Sequence, residues 1–189
     1  MSSSATANSE NRRADAAVVI PGIGADGSLY PIDKLEAHRR GVLHLAISVF
    51  VFCGPALMIQ RRAEGKYHSG GQWANTCCTH PDFGEDLPVA AVRRLREELG
   101  LELDQPLRHA AVLDYRADVG CDLIEHERVH VYRGDVASQT VALALDPSEV
   151  AEVAWVEPAE LARDARLTPA RYTPWLRIYL ERWPELRLD

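Results

Sequence analysis

The sequence contains little of what defines several large classes of protein. Its 189 residues include only four cysteines, Cys53, Cys77, Cys78 and Cys121, which excludes a disulfide framework and, without a CxxC pair, a zinc ribbon. Twenty-one basic against 28 acidic residues give a formal charge of −7, so we expect no nucleic-acid partner. At 47% hydrophobic and 26% charged residues, the composition is that of one globular domain in a reducing, cytoplasmic compartment.

Signals for secretion or membrane insertion are equally scarce. Residues 1–15 lack an apolar segment and carry Glu10 and Asp15, so we predict a disordered tail followed by one domain over residues 16–189. The longest apolar stretch, residues 42–59, contains His44 and is interrupted by Gly54-Pro55, which favours two buried strands over a membrane helix. We therefore expect a cytoplasmic protein without a membrane partner, and a monomer.

Hydrophobic periodicity predicts an α/β (α+β) domain with helices packed on a mixed sheet. Strands are predicted at residues 17–20, 43–52, 56–61, 73–78, 110–116, 124–133 and 150–156. Helices are predicted at residues 86–99, from about 158, and at 174–183, with a loop or short helix at 31–40. Residues 63–85 are long for a loop without structure of its own, which indicates a functional segment.

The clearest predicted helix covers residues 86–99. Asp86 can cap it, Pro88 lies in the first turn, where a missing N–H costs little, and Gly100 is placed to end it. The apolar stripe expected to pack on the sheet consists of Val89, Val92, Leu95 and Leu99.

Two groups of residues could carry chemistry. Cys78 and His80 are two apart, so on a strand they face the same side, where a thiol beside an imidazole can act as acid, base or nucleophile. Cys77 would face the other way and pack. The alternative is a buried structural cysteine beside a loop histidine.

The second group is built on Glu125 and Glu127, which project from one face of a strand and need a cation or a shared proton. With His38, His44 and His80 they could bind Mn, Fe or Zn, since imidazole and carboxylate together suit such ions. The alternative is a solvated strand face with alternating charges, and the spacing alone leaves both open.

Residues 93–101 can be an ordinary amphipathic helix with charge pairs such as Arg94–Glu98, or a degraded Nudix box, G-x5-E-x7-R-E-U-x-E-E-x-G-U. The matching residues are Glu85, Arg93, Glu97, Glu98, Gly100 and Leu101. Thr79 replaces the opening glycine, and Arg94 replaces the first helical glutamate. Arg94 removes a metal ligand and adds a phosphate-binding cation, so the helix can hold one Mg²⁺–diphosphate through Glu98 but is poorly equipped for hydrolysis.

Four further segments join this helix in one resemblance: LHLA at 43–46, QRRA at 60–63, WANTCCTHP at 73–81 and EHE at 125–127. Together they make the chain, from about residue 18 to 175, resemble the type I isopentenyl-diphosphate Δ-isomerases, a non-hydrolytic branch of the Nudix fold. The resemblance implies a Nudix-like mixed β-sheet sandwiched between helices. It also implies an isomerase of isoprenoid biosynthesis that interconverts isopentenyl and dimethylallyl diphosphate by protonation and deprotonation.

The resemblance further implies roles for individual residues. Cys78 and Glu127 fall on the catalytic pair, Tyr115 on a tyrosine that hydrogen-bonds the glutamate, and Trp175 on an active-site tryptophan. The implied ligands of a tightly bound Mn²⁺, Zn²⁺ or Mg²⁺ are His38, His44, His80, Glu125 and Glu127. A second ion, a Mg²⁺ arriving with the diphosphate, is implied at Glu98 and the backbone of Cys78. The implied diphosphate-binding residues are Lys34, Arg62, Lys66 and Arg94.

This reaction needs an acid and a base on opposite faces of an unactivated alkene, which Cys78 and Glu127 can supply. The carbocation between the two steps needs an aromatic face, such as Trp175, worth about 2 kcal/mol when desolvated. Two other functions stay open from the sequence: a Nudix pyrophosphohydrolase of a nucleoside diphosphate derivative, and a non-catalytic metal-binding Nudix domain.

Overall fold

The computed structural model describes residues 18–189, so the predicted tail at residues 1–15 lies outside the described residues. The first half consists of β1 (Val19–Ile23), β2 (Leu29–Asp33), α1 (Lys34–Arg40), β3 (His44–Cys53), β4 (Ala56–Arg62), β5 (Trp73–Asn75), β6 (Cys77–Thr79) and α2 (Leu87–Leu99). The second half consists of β7 (Arg108–Gly120), β8 (Leu123–Asp135), β9 (Val150–Val156), α3 (Pro158–Leu167) and α4 (Pro174–Glu181), with 3₁₀ turns at Pro169–Arg171 and Trp183–Leu186.

The strands form one mixed sheet around β3. Strands β2, β1, β3, β4 and β5 follow one another in that order, each antiparallel to its neighbour, while β8 runs parallel to β3. The predicted hairpin of β3 and β4 is confirmed, but the two strands pair only at Phe52↔Leu57 and Cys53↔Ala56. Beyond the turn they separate, because β3 pairs with β8 and β4 pairs with β9.

Helices cover both faces of this sheet, and the alternation of side chains along β3 explains why. Phe50 faces a core that contains residues of α3 and α4, such as Leu161 and Leu176. Val49 faces the opposite way and packs with Leu95 of α2. The predicted mixed sheet between helices is therefore confirmed. The apolar stretch at 42–59 forms strands, and none of the helices within residues 18–189 is long and apolar enough to cross a membrane.

Helix α2 has the predicted end but not the predicted face. Gly100 ends it in a left-handed conformation, φ 61°. Val89 and Val92, however, are 57% and 44% exposed, so half of the predicted stripe is wrong. The buried residues are Ala90, Ala91, Leu95, Glu98 and Leu99. Small alanines let the helix approach the sheet closely, which favours their face over that of the valines. Asp86 precedes the helix, but within the described chain its side chain makes no capping hydrogen bond.

Two other segments extend the predictions in ways that matter for the site. Residues 31–40, predicted as a loop or short helix, contain the end of β2 and the helix α1, which begins after Asp33 caps the amide of Glu36 at 2.9 Å. This helix carries both Lys34 and His38. Strands β7 and β8 are longer than predicted and form an antiparallel hairpin that positions Tyr115 opposite Glu127.

Candidate active site

The predicted site residues converge on one cavity that is open to solvent. All of them line it except His38 and His44, which are fully buried. The cavity lies beside β3, at the point where β8 on one side places Glu127 opposite His44, and β6 on the other places Cys78 opposite Ser48.

Three histidines and a carboxylate form a tight cluster at the cavity wall. The Nε2 atoms of His44 and His80 lie 3.1 Å apart, and Oε1 of Glu127 lies 3.6 Å from the first and 3.0 Å from the second. The ring of His38 lies against both of the other rings, with centroid distances of 4.9 and 5.2 Å. One potential ligand atom from each of the four residues lies within 4.8 Å of the others.

This cluster fits a divalent metal ion. The Nδ1 atoms of His38 and His44 contact the backbone carbonyls of Lys34 and Val42 at 2.6 and 2.7 Å, which leaves each Nε2 with a lone pair for a metal. Among residues 18–189, Nε2 of His38 is buried without a hydrogen-bond partner. Burial lowers the pKa of His38 to about 3 and that of His80 to about 4, so both imidazoles are neutral, the form that binds metals.

The two carboxylates of β8 are both buried, each only 5% exposed, so the alternative of a solvated strand face is wrong. The hydroxyl of Tyr115 lies 2.8 Å from Oε2 of each. Burial, followed by the neighbouring Glu127, raises the pKa of Glu125 well above its usual range. Burial acts in the same direction on Glu127, but the neighbouring imidazoles of His44 and His80 hold its pKa well below the usual range.

Cys78 is a partly buried thiol held by two polar side chains. Its Sγ donates to Oδ1 of Asn75 at 2.8 Å and lies 3.3 Å from Oγ of Ser48, which in turn contacts the Tyr179 hydroxyl at 2.8 Å. Burial raises the pKa of Cys78 to about 12, so the thiol carries its proton at neutral pH. Cys77 faces the other side of the sheet and is buried in the apolar core against α2, as predicted.

Four cations also line the cavity: Lys34, Arg62, Lys66 and Arg94. Glu149, which the sequence interpretation missed because it lies in no motif, accepts a hydrogen bond from Lys66 at 2.8 Å and lies 3.4 Å from Arg94. Arg62 Nε and Trp175 Nε1 are buried donors without a hydrogen-bond partner in the part of the chain that the structure describes. Such donors are what an anionic ligand would satisfy.

Helix α2, which carries the Nudix-like pattern, has the charge pairs of an ordinary amphipathic helix and also contributes residues to the cavity. Arg93 binds both carboxylate oxygens of Glu85 at 2.7 Å and so connects the preceding loop to the helix. Arg94 pairs with the buried Glu98 at 2.7 Å, the charge pair expected of an ordinary helix, and both residues also line the cavity. Glu98 additionally accepts a hydrogen bond from Gln60 at 3.2 Å.

Several residues in or next to the cavity were not predicted. Ser48, Asn75 and Tyr179 hold or surround Cys78, and of these only Asn75 belonged to a recognised segment, WANTCCTHP. His68 lies in the 63–85 loop and lines the cavity beside Trp175. The length of that loop and its histidines were the available signal for His68.

Comparison with known proteins shows which family the chain belongs to. Residues 42–176 match the NUDIX domain family. The chain is 56% identical over 155 residues to the isopentenyl-diphosphate Delta-isomerase of a Cereibacter sphaeroides strain, which covers 82% of this chain and 86% of that protein. The proteins of the same name from Dinoroseobacter shibae and Rhodobacter capsulatus are 55% and 51% identical, with 82% of this chain and 87% and 88% of theirs covered.

Solved structures share the fold at low sequence identity. The DR0079 protein of Deinococcus radiodurans superposes with a TM-score of 0.68 at 16% identity, covering 87% of this chain and 98% of that one. A MutT protein of Methanosarcina mazei gives 0.57 at 16% identity, covering 75% and 93%. The chain belongs to the NUDIX family and, within it, to the family of isopentenyl-diphosphate Delta-isomerases.

Proposed function

We propose that this chain interconverts isopentenyl diphosphate and dimethylallyl diphosphate, and that Cys78 and Glu127 exchange the protons. The observation that carries the proposal is that a partly buried thiol and a buried carboxylate, on strands at either side of β3, line one cavity together with four cations. Such a cavity can hold the diphosphate at its cationic part and the five-carbon chain between the two proton-exchanging groups.

The reaction moves one proton onto an alkene carbon and removes another from the far side of the three-carbon unit. In the direction of dimethylallyl diphosphate, Glu127 donates to the terminal alkene carbon, a tertiary carbocation forms, and the Cys78 thiolate removes a proton from the carbon next to the oxygen-bearing one. In the reverse direction the thiol donates and the carboxylate accepts. The protonation states favoured here, thiol and carboxylate, are those that begin this reverse direction.

Tyr115 orients the carboxylate side of the site. Its hydroxyl lies 2.8 Å from Oε2 of both Glu125 and Glu127. A hydroxyl has a single proton, so Tyr115 can donate to only one of these two carboxylates at a time. When Tyr115 donates to Glu127, it stabilises the charged form of the group that exchanges protons with carbon.

Five residues would hold the tightly bound divalent ion: His38, His44, His80, Glu125 and Glu127. Glu98 and the backbone of Cys78 would hold the Mg²⁺ of the diphosphate. Bound there, the ions supply positive charge that fixes the carboxylate and neutralises the diphosphate. Mn²⁺, Zn²⁺ and Mg²⁺ are the candidates for the first position.

Trp175 and the cations complete the proposed site. The guanidinium of Arg62 lies 5.2 Å from the centre of the Trp175 ring, so a face of this ring already packs against positive charge. Lys34, Arg62, Lys66 and Arg94 would bind the diphosphate oxygens, with Glu149 holding Lys66 in position. Trp175 and the 63–85 loop would exclude water, which could otherwise capture the carbocation.

Incubation of the purified protein with isopentenyl diphosphate, Mg²⁺ and Mn²⁺ in D₂O, followed by proton NMR, tests the proposal. We expect dimethylallyl diphosphate with deuterium at the exchanged positions. A panel of nucleoside diphosphate derivatives should release no phosphate, because Arg94 stands where the hydrolytic pattern has a glutamate. Phosphate release without isomerisation would favour a pyrophosphohydrolase, and bound metal without either reaction would favour a non-catalytic domain.

The monomeric state and the cytoplasmic location stay predictions from the sequence and the family.

A further inference from the structure

His68, in the loop between β4 and β5, is a buried histidine of the cavity that the proposed reaction does not use. It is 6% exposed, and its ring meets that of Trp175 edge to face, with a centroid distance of 5.7 Å. Its backbone carbonyl accepts a hydrogen bond from Arg62 at 3.3 Å. Its Nδ1 lies 3.4 Å from Oγ of Ser69, so Nε2, on the Glu125 side, is the nitrogen available to another partner.

The loop holds His68 in place by a tight fold that requires glycine. A Cβ on Gly70 would lie 2.6 Å from the carbonyl oxygen of Glu64. Gly71 has a φ of +75°, and a Cβ there would lie 2.7 Å from the Glu64 carboxylate. The Gly71 amide also donates to the carbonyl of Arg62 at 3.1 Å. These contacts fix the backbone of the loop directly after His68.

The distance between His68 and Glu125 is that of two ligands on one ion. Nε2 of His68 lies 3.6 Å from Oε1 of Glu125, which is too long for a hydrogen bond. Two donors bound to one ion at about 2.1 Å lie about 3.0 Å apart at right angles and about 4.2 Å apart when opposite. The observed separation falls between these limits.

Two sets of donor atoms meet here, and within each set all atoms lie within 4.8 Å of one another. One set is His38, His44, His80 and Glu127, and the other is His38, His68 and Glu125. His38 belongs to both, and its Nδ1 is engaged by the carbonyl of Lys34, so only Nε2 is available. One nitrogen lone pair binds one ion, which makes the two sets parts of a single centre.

We propose that His68 is an additional ligand of this metal centre, on its Glu125 side. The inference rests on the metal centre of the proposed function and adds a sixth protein ligand, the fourth imidazole. Six protein donors fill the coordination of an octahedral ion and leave no position for water. Such saturation would keep metal-bound hydroxide away from the carbocation and the diphosphate, and four imidazoles would favour Co²⁺ and Zn²⁺ over Mg²⁺.

The test uses the full chain, stripped of metal and reloaded with one ion at a time. Co²⁺ and Zn²⁺ dissociation constants are measured by chelator competition, and solvent water on bound Mn²⁺ is measured by water-proton relaxation. The variants are His68→Leu and His68→Gln, with His109→Leu on the outer face of β7 as the matched control and His44→Gln as the reference for loss of a proposed ligand. Thermal unfolding of the metal-free proteins checks that each variant is folded.

We expect both His68 variants to bind Co²⁺ and Zn²⁺ at least about tenfold more weakly, the loss that even an outer partner of a metal ligand produces. Their bound Mn²⁺ should also gain an exchangeable water that the wild type lacks. Unchanged affinity and relaxation in His68→Leu and His68→Gln, with affinity lost in His44→Gln, would overturn the role of His68 and leave the centre intact. Weaker binding without added water would show a structural role and also overturn the proposal. Unchanged affinity in His44→Gln would contradict the proposed centre itself.

Discussion

The hydroxyl of Tyr115 lies 2.8 Å from Oε2 of Glu127, across the antiparallel pair that joins β7 to β8. The same hydroxyl lies 2.8 Å from Oε2 of Glu125, so one phenol contacts two buried carboxylates. Their pKa values are shifted in opposite directions, upwards for Glu125 and downwards for Glu127. The long hairpin creates this contact, because it places residues twelve positions apart directly opposite each other. Glu127 is thereby oriented by a neighbour that can also pass it a proton.

Replacement of Tyr115 by phenylalanine removes this connection and keeps the ring. We expect kcat to fall by about ten- to a hundredfold, because a buried hydrogen-bonding group left without its partner costs about 1–3 kcal/mol. Steady-state isomerisation rates measure the effect, with the partly exposed Tyr30→Phe as control. A Tyr115→Phe enzyme with wild-type kcat would exclude a role for the hydroxyl in proton exchange.

Replacement of Cys78 by serine should preserve the fold and lower turnover by at least about a hundredfold, the range of general acid–base contributions. The serine hydroxyl can keep the hydrogen bonds to Asn75 and Ser48 but holds its proton too tightly to form the base. Thermal unfolding and isomerisation rates are measured together. The control is Cys121→Ser, at an exposed thiol, which should keep full activity. Wild-type rates in Cys78→Ser would contradict its proposed role.

Replacement of Glu127 by glutamine should reduce both metal retention and catalysis, and replacement of His44 by alanine should reduce metal content. The first loses a charged ligand and the second an imidazole that lies 3.6 Å from Glu127. Elemental analysis after dialysis measures the bound metal, with His109→Ala as the control. Equal metal content in all four proteins, the wild type included, would place the ion elsewhere.

Replacement of Arg94 by glutamate should raise KM by about tenfold or more, because hydrogen bonds to charged groups contribute about 1.5–3 kcal/mol. It also restores a carboxylate to the Nudix pattern, so we expect stronger Mg²⁺ binding and some diphosphate hydrolysis. Arg96→Glu, on the exposed side of α2 and paired with Glu102, is the matched control. Unchanged metal binding and kinetics in Arg94→Glu would show that Arg94 does not contact the diphosphate.

The metal-free protein should lose stability as the pH falls below about 6.5. Unfolded histidines take up protons near pH 6.5, whereas burial lowers the pKa of His38 to about 3 and of His80 to about 4 in the folded state. The unfolded state therefore binds more protons between these values, and each histidine removes up to about 1.4 kcal/mol of stability per pH unit.

Urea unfolding from about pH 7 to about pH 4.5 measures this loss. The double variant His38→Gln/His80→Gln should show a shallower decline than the wild type, since it lacks both histidines. Parallel profiles for the two proteins would mean that these histidines are not buried in the neutral form.

The sequence predicted much of the fold because its signals are local. Apolar runs indicate the strands β3 and β4. Helix boundaries follow from the backbone preferences of single residues: a glycine ends α2, and prolines begin α3 and α4. The face of α2 was mispredicted, because burial depends on how closely the sheet lies against Ala90 and Ala91. Neither valine nor alanine carries that information by itself.

By itself, the sequence determined the mixed fold, the residue types of the site and the pairs that share a strand face, Cys78 with His80 and Glu125 with Glu127. Only the tertiary structure decided that these pairs meet, since the parallel pairing of β3 with β8 brings His44 beside Glu127. The tertiary structure also decided that Cys78 faces the cavity, and it showed that Glu149 and His68 line it. Residues far apart in a chain acquire a common environment only when strand pairing and loop closure bring them together, and burial then sets their protonation.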